Sequence, residues 1–86
     1  MDINELIAIV KKKLQNNIDI ENIVIEDKSF LHKGHITNQK GKFHLKISLR
    51  SNELKNLNRI EGNKKIYKVL DVEIKKFIHS IQILIT

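Results

Sequence analysis

Four histidines and no cysteine occur in this chain of 86 residues, and three of the histidines, His32, His35 and His44, fall in one short stretch. The fourth, His79, stands just ahead of the apolar run Ile81–Ile85. Neutral imidazole is the commonest metal ligand, and its unperturbed pKa lies in the physiological window. Histidines from distant segments therefore become a potential ligand set once folding brings them together. An isolated histidine in a small domain is more often a surface or partly packed residue. The surrounding sequence has to decide between these readings.

A chain of this length supports one domain with one core. Its 41% apolar and 30% charged residues are those of an ordinary globular protein rather than a disordered one. Without cysteine there is no disulfide, thiolate metal site or thiol catalysis within the chain. The absence of an apolar run of spanning length and of a signal-peptide pattern in MDINELIAIVKKK leads to the expectation of a cytoplasmic protein. The formal net charge of +6 comes from 16 basic against 10 acidic residues. Such a balance favours nucleic acid or an acidic protein as partner, although a solvated lysine surface gives the same composition.

The elements that must position the histidines follow from periodicity. Asp2 with Glu5 resembles a capping box. Ile3, Leu6, Ile7, Ile9, Val10 and Leu14 form one helical face, so a helix is expected over about Ile3–Gln15. The β-branched run Ile20, Ile23, Val24 and Ile25 indicates a strand over about Asn22–Asp27. Ser29–Gly41 is polar and aperiodic, which reads as a long loop, with residues 31–41 expected to be mobile in the free protein.

Phe43, Leu45, Ile47 and Leu49 alternate with His44, Lys46, Ser48 and Arg50, the clearest strand signal in the chain. A short helical turn starts near Ser51–Leu54. Ile66, Val69, Leu70, Ile74 and Phe77 predict a second long helix over roughly residues 63–76, and Ile78–Ile85 closes as a strand. The order α-β-β-α-α-β implies an α+β two-layer sandwich with a three-stranded mixed sheet, and a right-handed crossover makes the last two strands parallel. The expected core is Leu6, Ile9, Val10, Leu45, Ile47, Leu49, Ile66, Leu70, Ile74, Ile81 and Ile83.

Four ordered segments resemble the BolA family across nearly the whole chain. Glu26-Asp27-Lys28-Ser29-Phe30-Leu31-His32-Lys33-Gly34-His35 is similar to the family's acidic-x-Ser-x-x-His-x-Gly-His segment. His44-Leu45-Lys46-Ile47-Ser48-Leu49-Arg50-Ser51 is similar to its His-Phe-x-Val-x-hydrophobic-x-Ser strand. Lys65-Ile66-Tyr67-Lys68-Val69-Leu70 resembles its Val/Ile-Tyr-x-x-Leu helix, and Ile78-His79-Ser80-Ile81 its hydrophobic-His-Ala-Leu element. The chain departs at Gly62-Asn63-Lys64, where the family usually has Arg-His-Arg.

The resemblance implies a type II KH-like fold for a single domain spanning residues 1–86. It further implies either a [2Fe–2S] cluster shared with a monothiol glutaredoxin, or nucleic-acid and transcriptional activity. On the first reading His79 is one ligand and His32 or His35 the second. Anchoring on Ser29 selects His32, and counting back from His44 selects His35. Two imidazoles can replace thiolates on one iron, as in Rieske centres, while the glutaredoxin and its glutathione supply the thiolates this chain lacks. His79 shares strand parity with Ile81 and Ile83, so a core-facing ring is its competing placement.

His44 is expected to line the site from the outer face of its strand. Lys46 and Arg50 read as a solvated face that could lend a positive field. The chain alone is expected to be a monomer, forming a heterodimer with its partner. On the nucleic-acid reading, weak, salt-sensitive phosphate binding is expected rather than sequence readout. The chain has no GXXG, and only three Phe and one Tyr for stacking. Catalysis is the least expected class, because no nucleophile–base pair or phosphate-cradling glycine loop is present.

Overall fold

Asp2 caps the first helix of the computed structural model, which describes residues 2–28 and 43–86. Its side chain accepts the Glu5 N–H at 2.8 Å, and helix α1 runs Ile3–Asn17. Strand β1 spans Asn22–Asp27 and strand β2 Phe43–Arg50. They pair antiparallel, with Ile23 opposite Leu49 and Ile25 opposite Ile47. Strand β3, Ile78–Ile85, pairs parallel to the other side of β2, with Leu45 opposite Ile81 and Ile47 opposite Ile83. The sheet order is β1-β2-β3, the mixed topology expected from the crossover. The expected loop Ser29–Gly41, with its expected mobility, lies outside the described residues.

Three helices make the crossover: α2 over Asn52–Lys55, α3 over Arg59–Val69 and α4 over Asp71–Lys76. Ser51 opens α2. Its fully buried hydroxyl accepts the Leu54 N–H and donates to the Asp19 carbonyl at 2.6 Å, pinning the end of β2 to the segment after α1. The long helix expected over 63–76 starts earlier and is broken. Asn58 caps α3 by accepting the Glu61 N–H at 2.9 Å, so Gly62 falls inside the helix. There Gly62 permits close packing, since a Cβ would lie 3.2 Å from Ile85 Cδ1. The break is at Leu70, whose backbone leaves the helical region (φ −98°, ψ 16°) while its side chain is fully buried.

One layer of helices covers one face of the sheet, with α1 against β1 and α3, and α4 against β3. Leu6, Val10 and Leu14 of α1 meet Leu45, Ile47 and Leu49 of β2 and Ile66 and Leu70 of the crossover, all essentially solvent-free. Burying each such side chain contributes roughly 1.5–3 kcal/mol. The central strand is therefore the most deeply packed. Ile74, Ile81 and Ile83 only flank this core and are half-buried, the last two because β3 is an edge strand. Ile9, expected inside, is half-buried at the margin of the Leu6–Val10–Leu14 stripe. Leu14, Ile18, Ile23, Leu54 and Ile78 are core residues beyond those expected.

Candidate functional site

The geometry around His79 begins with an irregularity in the sheet. Phe43 pairs with Ile78 but His44 pairs with Ser80, so His79 is an extra residue on β3 with no counterpart on β2. Such a bulge re-aims side chains. Ile78 takes the inward position, at 3% exposure, and His79 is left solvent-exposed. The core-facing placement allowed by strict alternation is therefore not the one adopted.

His44 supports this site. It lies on the sheet face away from the helices, yet it is 3% exposed. Its Nδ1 is hydrogen-bonded to the Ser80 hydroxyl at 2.6 Å, with the direction set by the imidazole tautomer. Its ring meets that of His79 edge to face, with centroids 4.9 Å apart and planes at 61°. His44 therefore packs against His79 from the outer face of β2, and as a buried residue rather than a solvated one. The alternation pattern placed it with the solvated cations because it could not register the Ser80 hydroxyl and His79 ring lying against it. Ser80, the hydrogen-bond partner of His44, is a contact that the sequence pattern did not single out. Its place across from His44 depends on the bulge, which leaves no mark in the hydrophobic pattern.

The two cations of β2 occupy different settings. Lys46 is paired across the sheet with Glu26, which also takes an ion pair from Lys28 at 3.0 Å. The Lys28 ammonium, by hydrogen bond and charge, holds the Glu26 carboxyl below its ordinary value, and Lys46 adds to this. Arg50 is six residues along the strand from His44, roughly 20 Å at the usual rise, so its charge is remote from His79. Of the expected positive field, only the Lys46 end lies near the histidines.

His32 and His35 lie outside the described residues. Among the described residues, no group of three or more His, Cys, Asp or Glu is close enough to hold a metal ion. What they provide is one exposed imidazole on an ordered strand, braced by a second, buried imidazole. A neutral imidazole suits iron, zinc or copper, and a donor oriented by its neighbours suits a site completed by other ligands.

The sequence model of the family described as "BolA-like protein" matches residues 14–86. The "DNA-binding transcriptional regulator BolA" of Haemophilus influenzae is 27% identical over 73 residues, which cover 85% of this chain and 68% of that protein. The BolA domain of SufE1 from Arabidopsis thaliana superposes with a TM-score of 0.78 at 23% identity, over 92% of this chain and 87% of that one. BolA1 from Arabidopsis thaliana superposes with a TM-score of 0.78 at 21% identity, over 93% and 88%. These structural likenesses concern the fold.

Proposed function

Because the chain belongs to the BolA-like protein family, we propose that it is a non-enzymatic partner that binds a [2Fe–2S] cluster jointly with a monothiol glutaredoxin. The observation that carries this reading is the exposed His79 ring, set on a bulge and braced by the buried His44. The bulge turns a histidine out of an isoleucine-rich strand, and bulges are over-represented next to functional sites, where they re-aim a side chain. An exposed imidazole oriented by its neighbours supports a ligand role at a site completed by other groups. On this reading His79 ligates one iron, and His32 or His35 is the second imidazole.

The partner's thiol and its glutathione supply the thiolates, since this chain has none. The cluster would bring electron-transfer and iron-handling chemistry. The chain's own residues fix one imidazole in orientation through His44 and Ser80 and set a cation, Lys46, two residues from His44. Lys46 favours an anionic group on that side.

Co-expression with a monothiol glutaredoxin tests this reading. A one-to-one heterodimer should elute with a visible absorption and circular dichroism spectrum that differs from that of the glutaredoxin alone. Failure of the two proteins to associate, or a spectrum identical to that of glutaredoxin alone, would overturn it.

A second reading, nucleic-acid binding in transcriptional regulation, is favoured by the name of the Haemophilus influenzae relative and by the +6 charge. Counterion release then requires affinity to fall steeply as salt rises. Salt-insensitive binding, or none at low ionic strength, would exclude it.

A further inference from the structure

At the opposite end of β3 from His79 a groove of about 380 Å³ opens, floored by Leu54, Leu57, Ile83 and Ile85. Leu84 lines it as well, so consecutive residues with side chains on both faces of the sheet border the same space. A space reached from both faces of a strand runs along that strand's edge. No residue of β2 lines it, which identifies the edge as the free one, facing the α2–α3 corner. Among the described residues, no strand pairs with this edge, so its outward N–H and C=O groups have no strand partner there.

Natural edge strands are usually guarded by lysine, proline or inward charges. Ile78–Ile85 has no charged residue and no proline, and Leu84 is 50% exposed. The other edge strand, β1, carries Glu26 and Asp27. The charges near β3 stand instead on the rim of the groove, where Lys55 ends α2 and Arg59 begins α3. Both are exposed, and neither forms an ion pair with a described residue.

We propose that the free edge of β3 and the groove beside it dock an extended peptide segment of a partner protein, which adds as a fourth strand with aliphatic side chains in the groove and carboxylates on Lys55 and Arg59. Main-chain hydrogen bonds along the edge give such a complex its affinity, and the groove and its rim give it selectivity. Charge argues for an acidic partner and against a second copy, because each copy of this chain carries +6. Single-stranded nucleic acid is disfavoured because no aromatic residue lines the groove for base stacking. The groove is bordered on β3 by Ile83, Leu84 and Ile85, whose near end is four residues from His79 and roughly 13 Å along the strand. Both sites can therefore be occupied together, and the proposal does not depend on cluster binding.

The test uses a terminally blocked, fluorescein-labelled peptide of alternating valine and glutamate, with the lysine-for-glutamate peptide as control. Binding should shift the amide signals of residues 81–85 and of α2 and α3, and slow amide exchange along the free edge. K55E/R59E, which changes two exposed side chains, should weaken binding about tenfold while keeping the native spectrum. Leu84→Lys, at a half-exposed position, should weaken it as well.

Four results would overturn the proposal. These are no binding at millimolar peptide, equal binding of the basic control, shifts confined to other surfaces, or indifference to the charge reversal. A dimer of this chain formed through β3, or oligo(dT) binding the same residues more tightly than the acidic peptide, would replace it.

Discussion

His79 shows how one inserted residue changes what a strand presents. By position alone it belongs with Ile81 and Ile83. The bulge opposite Phe43–His44 gives the inward position to Ile78 instead. Period-two reasoning could not see this, because a bulge leaves no mark in hydrophobicity. The likeness to the family's hydrophobic-His element singled out the residue, while only the pairing register revealed its exposure. His44 was legible as a strand residue but not as a buried one. Its hydrogen bond to Ser80 gives a test at this scale. Ser80→Ala should lower stability by roughly 1 kcal/mol in urea titrations and shift the His79 ring signals in NMR spectra. An unchanged His79 environment would mean that Ser80 and His44 do not position that ring.

Among the elements, β2 was the most legible, because its alternation is uninterrupted and both neighbours pair with it. The crossover was less so. Gly62 stands just ahead of the helix expected over residues 63–76, yet it lies inside α3, where a Cβ would come within 3.2 Å of Ile85 Cδ1. The break at Leu70 carries no glycine or proline and was hidden within an unbroken apolar period. Two side chains tie these elements to the rest. Ser51 is cap and anchor at once, so Ser51→Ala should lower stability by about 1–2 kcal/mol, measured by urea denaturation. Lys13 of α1 reaches the buried Glu73 of α4 at 2.8 Å. Lys13→Ala leaves that carboxylate without its ammonium and should destabilise by roughly 1–3 kcal/mol in the same assay. Little or no loss in either variant would show that these ties are not holding the crossover.

For the whole molecule, the helices form one layer on one face of the sheet, and among the described residues no strand pairs with the β3 edge. Acid stability reports on how the layers are joined. Glu53 of α2 accepts from Lys65 of α3 and from the Asp19 N–H, and these bonds hold its carboxyl below the ordinary value of 4.5. A depressed carboxylate stabilises the fold above its unfolded pKa, and that contribution is lost as pH falls through the folded value. Stability should therefore drop on acidification below about pH 4.5, and Glu53→Gln should flatten that part of the profile. An identical profile in the variant would mean that other groups control it. The role of His79 is tested most directly by the visible circular dichroism of the chain co-purified with a monothiol glutaredoxin, for wild type and His79→Ala. Because His79 is exposed, the variant should keep its far-ultraviolet spectrum while the signal of the mixed complex is lost or replaced by that of glutaredoxin alone. A folded His79→Ala protein that gives the wild-type visible spectrum would contradict the ligand assignment.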